Sequence, residues 1–240
     1  MDSFDFKEGE VLLFDKELGK SSFSVVNRAR GMIKRKLKIK NIKVGHAGTL
    51  DPLATGLLVI CTGKKTKTIT SIQDAEKEYI GTITLGGTTP SYDLESEIDQ
   101  TFPTGHITDE MIREAAESFI GEYDQMPPIF SAKQVDGKRA YELARKGKEV
   151  KLNPKRIAIR EFEITDIKNN EKLEVDFRVT CSKGTYIRSL AHDFGKTLNS
   201  GGHLSALRRT RIGDFCVDDA ITVEQFQFLL FGEETDSSQG

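Results

Sequence analysis

The spacing of apolar positions changes several times along the chain, and each change marks an element. EVLLFD (10–15) is a short run expected as a strand. Ser22 is expected to cap a helix through FSVVNRARGMIKRKL, with Phe23, Val26, Ala29, Ile33 and Leu37 forming its inward stripe. LLVICTG (57–63) is uninterruptedly apolar, as a strand buried on both faces would be, and KKTKTITSIQDA after it is expected to be helical. KEYIGTITLGG (77–87) is a further strand, whereas the acidic, aperiodic segment 89–105 is expected to be a long connection or flap. Thr108 caps a predicted amphipathic helix, DEMIREAAESFIG, with an acidic first turn and Gly121 as its stop. RAYELARKG is expected to be helical. RIAIREFEITDI and LEVDFRVTC are strands, the second alternating strictly at Leu173, Val175, Phe177, Val179 and Cys181. A helix follows in KGTYIRSLAHDFGKTL, then extended chain in SALRRTRIGDFCV and a closing helix in VEQFQFLLF. Residues 233–240 are expected as a frayed tail.

This order predicts an α+β fold, a mixed, largely antiparallel sheet flanked by helices, in a single domain over residues 1–232. No repeat or composition shift marks a second domain. Neither G-x-G-x-x-G nor G-x-x-x-x-G-K-[ST] occurs, so dinucleotide and P-loop chemistry have no support. No apolar run approaches the roughly 18 residues of a membrane span, and the acidic start MDSFDFKEGE is unlike a signal peptide, so a cytoplasmic location without membrane contact is expected. Three isolated cysteines and four histidines without ligand spacing favour neither disulfides nor a metal site.

A net charge of -2 over 240 residues conceals segregation. Residues 20–67 carry +11 and 126–212 carry +9, while 76–125 carry -10 and 213–240 carry -7. Two basic blocks in a neutral chain point to an electropositive face that meets phosphates. Scatter of those blocks in space, with mutual cancellation, is the alternative.

The chemistry concentrates in GHAGTLDPLATGLL (45–58). Its glycines allow close approach of a ligand to the backbone. Asp51 is the only acid between positions 20 and 67, and an Asp-Pro pair usually starts a turn. In this basic block its carboxylate would be held ionised, suited to act as nucleophile or base on an electrophilic carbon.

That loop resembles the G-H-x-G-x-L-D-P-x-A-x-G block of the bacterial tRNA pseudouridine-55 synthase family, the TruB-like enzymes. DKELGKSS (15–22), KEYIGTITLG, SKGTYIRSLAHDFG and GGHLSALRRTRIGDF resemble further family motifs, in the same order, over about Gly9 to Val217. The resemblance implies the pseudouridine synthase-like fold, with an RNA-binding cleft across its sheet. It implies an isomerase of the intramolecular-transferase class that converts uridine to pseudouridine at position 55 in the T loop of tRNA, without cofactor or metal. Asp51 would be the nucleophile, Arg188 its charged partner, and Tyr79 would stack on the flipped base. His46 would fill the space that the extruded nucleotide leaves. Tyr186 and Leu207 would line the uridine pocket, and Lys16, Lys20, Arg208 and Arg209, with the basic face of residues 28–38 and Lys64, Lys65, Lys67 and Arg211, would meet RNA phosphates.

Two departures from the pattern, Glu17 where the family usually has Pro and Ala47 where a hydroxyl residue is common, touch no proposed catalytic role. Many relatives continue into a small C-terminal PUA domain; none is expected here, and the enzyme would work as a monomer on the T stem-loop. The alternative of another class is a non-catalytic RNA-binding protein or tRNA-folding chaperone on the same fold. The joint presence of Asp51, Tyr79 and Arg188 discriminates against it, since a pure binder has no use for all three. A third, weaker reading is a synthase directed at another RNA, such as a guide-RNA relative, which the lack of basic extensions and the expected lack of a PUA domain disfavour.

Overall fold

The computed structural model describes residues 4–129, 134–135, 138–139 and 152–232. The chain forms two compact units, residues 1–77 with 208–240 and residues 78–207.

In the first unit, β1 (Val11–Lys16) runs antiparallel to β3 (Ala54–Thr62), from Val11 opposite Cys61 to Lys16 opposite Gly56. The short β2 (Val44–His46) also pairs with β3, and β3 neighbours β12 (Gly202–Ile212), whose last five residues belong to this unit. β13 (Phe215–Cys216) folds back on Arg211 and Ile212. The apolar run of β3 has the physical cause expected of it, burial on both faces. Leu58 and Ile60 pack with Phe14, Val26 and Ile33 of α1 (Ser22–Leu37), and Leu57 and Val59 pack with Ala47, Ile212 and Val217. After a 3₁₀ turn (Gly63–Thr68), α2 (Ile69–Asp74) covers the second of these clusters through Ile69 and Ile72. α5 (Val223–Phe231) closes the first cluster. Its Phe226 is fully buried, edge-on to Phe6 and Phe14.

The second unit carries β4 (Lys77–Leu85, from Glu78 on), β7 (Gly121–Gln125), β10 (Lys155–Asn169), β11 (Leu173–Cys181) and the first six residues of β12, in the order β12-β4-β11-β10-β7. β10 and β11 form a long antiparallel hairpin bent by two irregularities, and β7 pairs antiparallel with the start of β10. β11 buries Leu173, Val175, Phe177, Val179 and Cys181, as its alternation predicts. α3 (Asp109–Ser118) and α4 (Ile187–Thr197) pack here, Phe194 of α4 meeting Phe119 and Phe162. Small ladders pair β5 (Gly87–Thr88) with β6 (Gln100–Thr101) and β8 (Gln134–Val135) with β9 (Lys138–Arg139). Two parallel bridges, Phe14 with Ile221 and Asp93 with Leu204, add to the antiparallel pairs, so the α+β class with a mixed sheet holds.

Several expectations shift. α1 is capped by Ser21, whose side chain accepts a hydrogen bond from the Ser24 amide, and Ser22 instead turns inward. The buried stripe is therefore Ser22, Val25, Val26, Ala29 and Ile33, and Phe23 is 65% exposed. α3 is capped by Thr108 as predicted but ends at Ser118, and Gly121 opens β7 with φ +120°. The segment 89–105 is a long connection, yet it is pinned at its base by the β5–β6 ladder and buries Thr89, Ser91 and Asp93. The helix expected from Arg139 lies outside the described residues beyond Arg139 itself, as does the tail 233–240. Among the described residues, no helix is long and apolar enough to cross a membrane.

Truncating Phe226 to alanine removes a fully buried ring from the first unit. A loss of about 3–5 kcal/mol in urea unfolding is expected; a loss below about 1 kcal/mol would show that the cavity collapses.

Candidate active site

In the first unit, the loop around Asp51 is fixed at almost every residue. The Ala47 amide donates to the Val59 carbonyl at 2.8 Å, and the Ala54 amide donates to the carbonyl of Asp51 at 3.0 Å. Ser22 grips Leu50 twice, accepting from its amide at 2.8 Å and donating to its carbonyl at 3.0 Å. This explains the inward turn of a serine at the start of α1. It satisfies buried backbone groups that no strand partner reaches.

Lys16 and Arg209 complete the cage. Lys16 is 1% exposed, and its ammonium donates to the carbonyls of Glu17, Lys20 and Pro52 at 2.9, 2.7 and 3.4 Å. The Gly19 amide also reaches the Pro52 carbonyl, at 2.8 Å, so the turn after β1 is laced to the Asp51 loop. Arg209 is 1% exposed; its Nε donates to the Leu57 carbonyl at 2.9 Å and its Nη2 to the Gly48 carbonyl at 3.0 Å. Gly56 makes this approach possible. At φ +98°, a Cβ there would stand 2.3 Å from the Arg209 carbonyl oxygen.

Burial pushes the Lys16 ammonium down to about 8, against the upward pull of the Asp51 carboxylate and with a further downward push from Arg209. Two buried cations thus act on the surroundings of one half-buried carboxylate. His46, on β2, is held below the ordinary imidazole range by burial first and then by Arg209, so its ring is neutral near pH 7. Its Nδ1 is buried without a hydrogen-bond partner among the described residues.

In the second unit, Arg188 stands on the first turn of α4, and its side chain is 7% exposed. Its Nε lies 3.6 Å from the carboxylate of Asp93, equally buried, and its Nη1 donates to the Ser91 carbonyl at 3.2 Å. Tyr186 precedes α4, and its backbone is clasped by the fully buried Gln125. The Tyr186 amide donates to Gln125 Oε1 at 2.8 Å, and Gln125 Nε2 donates to the Tyr186 carbonyl at 3.0 Å. Tyr79 is buried on β4 and Leu207 half-buried on β12.

Lys16 and Arg209, expected at phosphates, are buried here and donate to backbone carbonyls. Arg208 is also engaged, its fork bidentate on Asp15 at 2.9 and 2.7 Å. Among the wider set, Arg28 pairs with Glu224 and Lys64 with Glu8, while Arg30, Lys36 and Arg211 donate to the carbonyls of Val44, Leu230 and Gly213. Lys20, Lys65 and Lys67 are exposed. Sequence reasoning missed Asp93, Ser91, Gln125 and the inward Ser22. Asp93 stands among Glu95, Glu97 and Asp99 and differs from them only in being buried.

Residues 34–187 match the family model described as TruB family pseudouridylate synthase (N terminal domain), and residues 188–239 match the tRNA pseudouridylate synthase B C-terminal domain. A protein of Phocaeicola vulgatus called tRNA pseudouridine synthase B is 57% identical over 96% of this chain and 97% of its own length. One of the same name from Flavobacterium johnsoniae is 57% identical over 94% and 98%. One from Chlorobaculum tepidum is 49% identical over 91% and 89%. Among solved structures, a chain of a Cbf5-Nop10-Gar1 complex matches with TM-score 0.66 at 29% identity, covering 95% of this chain and 57% of that one. A chain of the archaeal box H/ACA sRNP Nop10-Cbf5 complex matches with TM-score 0.63 at 27% identity, covering 93% and 55%.

Two outcomes follow from the cage. Arg209→Leu strands the carbonyls of Gly48 and Leu57, and a loss of about 3 kcal/mol in urea unfolding is expected; a loss under about 0.5 kcal/mol would mean that water replaces the guanidinium. Lys16 titrates near 8 in the folded chain against its ordinary 10.5, so the folded state binds fewer protons between those values. The contribution of Lys16 to stability therefore rises with pH across that window. Lys16→Met should lack this rise when unfolding midpoints are compared from pH 7.5 to 10; an identical pH dependence would contradict it.

Proposed function

Because the chain belongs to the TruB family of pseudouridylate synthases, it is an isomerase, and we propose that it converts uridine 55 in the T loop of tRNA to pseudouridine. One observation carries this reading. Identity of 57% extends over nearly the full length of a protein called tRNA pseudouridine synthase B, and GHAGTLDPLATG is folded here around a carboxylate in a cage of buried cations and hydroxyl bonds.

The reaction breaks the C1′–N1 bond, turns the base and forms C1′–C5; C5 loses its proton and N1 gains one. Atoms and electrons balance within the substrate, so no outside reductant or oxidant enters. Asp51 is the nucleophile: its carboxylate bonds to the uridine as C1′–N1 breaks and is released as C1′–C5 forms. The loop that carries it is immobilised by Ser22, Lys16 and Arg209, so little reorganisation accompanies the attack. Tyr79 stacks on the extruded base and assists removal of the C5 proton. Arg188, held by Asp93 and Ser91, supplies the positive charge expected of it. His46, neutral and with an unpartnered Nδ1, takes the place of the departed nucleotide. Tyr186 and Leu207 line the uridine pocket. Lys20, with the partly exposed fork of Arg208, contacts phosphates; Lys16 and Arg209 act from beneath the loop.

Residues 1–232 work as one catalytic domain, as a monomer in the cytoplasm, on the T stem-loop. The helical stem and the ribose phosphates position such a substrate more than base reading does.

Asp51→Asn tests the reading. Tritium release from 5-tritiated uridine in a T-arm transcript should fall below detection, with thermal stability and T-arm affinity as in the parent chain. Turnover retained by the variant would overturn the nucleophile assignment, and a parent chain that binds the T arm without turnover would favour the chaperone.

A further inference from the structure

Arg188 is gripped by residues 91 and 93, through the Ser91 carbonyl at 3.2 Å and the Asp93 carboxylate at 3.6 Å. Between them stands Tyr92, with φ +63°, a left-handed conformation unfavourable for a side-chain-bearing residue. Its ring lies flat on the imidazole of His192, centroids 4.0 Å apart and planes 16° from parallel. His192 sits on α4 four residues after Arg188, so both side chains leave the same face of one helix.

The arrangement has a consistent electrostatic setting. Burial lowers the His192 pKa, helped by Lys196 and opposed by Asp99, and raises that of the Tyr92 phenol, helped by Asp193 and Asp99. Both rings are neutral near pH 7, as flat stacking in a half-buried place requires. His192 Nδ1 is buried without a hydrogen-bond partner among the described residues, so the face of its ring, rather than that nitrogen, makes its contact. The backbone of the same stretch is anchored too. The Tyr92 amide donates to the Thr89 carbonyl, the Leu204 amide donates to the Tyr92 carbonyl, and Asp93 Oδ1 accepts from the Glu95 amide at 3.0 Å. With both flanks fixed, the strained residue sets how far the Asp93 carboxylate reaches toward Arg188.

We propose that Tyr92 and His192 are positioning residues for the isomerisation, a stacked clamp between the 89–105 segment and α4 that holds Asp93 on the Arg188 guanidinium. This rests on the reading that Arg188 serves the uridine chemistry. The clamp acts on the geometry of the charged pair and touches no substrate.

The test compares Tyr92→Ala and His192→Ala with the ring-preserving Tyr92→Phe and His192→Phe on a T-arm RNA. Both alanine variants should lose about tenfold or more in kcat, with KM within about twofold of the parent, while both phenylalanine variants stay within about twofold in kcat. On an Asp93→Asn background, Tyr92→Ala should add no further loss. Unchanged kcat in the alanine variants, His192→Phe as impaired as His192→Ala, or an undiminished loss on the Asp93→Asn background would each overturn the clamp. An independent readout is exchange of the Arg188 Nε–H in 15N-arginine-labelled full chain, assigned by its absence in Arg188→Lys. His192→Ala should exchange this proton about tenfold faster than His192→Phe, and equal rates would overturn the proposal. If the parent chain shows no turnover on the T arm, the synthase reading fails while the exchange rates still decide the clamp.

Discussion

A buried guanidinium organises the first unit. Arg209 reaches from β12 to the carbonyls of Leu57 on β3 and Gly48 in the Asp51 loop, joining segments more than 150 residues apart in sequence. Removing an arginine from water is costly unless its donors are met, and here backbone carbonyls meet them. The constraint propagates. Gly56 must lack a side chain to let the Arg209 backbone approach, and the loop must turn its carbonyls inward. Lys16 feels the second cation as a downward push, and His46 stays neutral beside it. The backbone that carries the Asp51 carboxylate is thus fixed by partners from distant parts of the chain.

The second unit solves the corresponding problem for Arg188 with different chemistry. A carboxylate, a carbonyl and an aromatic stack fix it, all contributed or braced by a segment that reads as a mere connection in the sequence. Gln125 does the same for the residue that opens α4, closing two hydrogen bonds on the Tyr186 backbone. In both units the buried cations Lys16, Arg209 and Arg188 and the buried amide of Gln125 each meet specific partners.

What was legible in the sequence follows from how local its causes are. The apolar run of β3 and the alternation of β11 report burial that each strand experiences along its own length, so both were readable. The turn of α1 was not. Its phase depends on Ser22 bonding Leu50, a partner 28 residues away, and that bond displaces Phe23 from the expected inward stripe. Arg208 and Arg209 are adjacent and chemically identical in sequence. One lies on the Asp15 carboxylate and the other is buried under the loop, a distinction made only by distant partners. The motif around Asp51 was recognisable because its glycines, proline and acid lie in one short stretch. Asp93 was hidden because three other acids surround it and only burial sets it apart.

Isomerisation of a T-loop uridine with Asp51 as nucleophile is tested in cells. Pseudouridine should be mapped chemically across all tRNAs from a strain lacking this gene and from the same strain carrying either the gene or its Asp51→Asn form. The signal at position 55 should vanish in the deletion, return with the intact gene and stay absent with the variant, while other pseudouridines persist. Retention of pseudouridine 55 in the deletion strain, or its return with the variant, would contradict it.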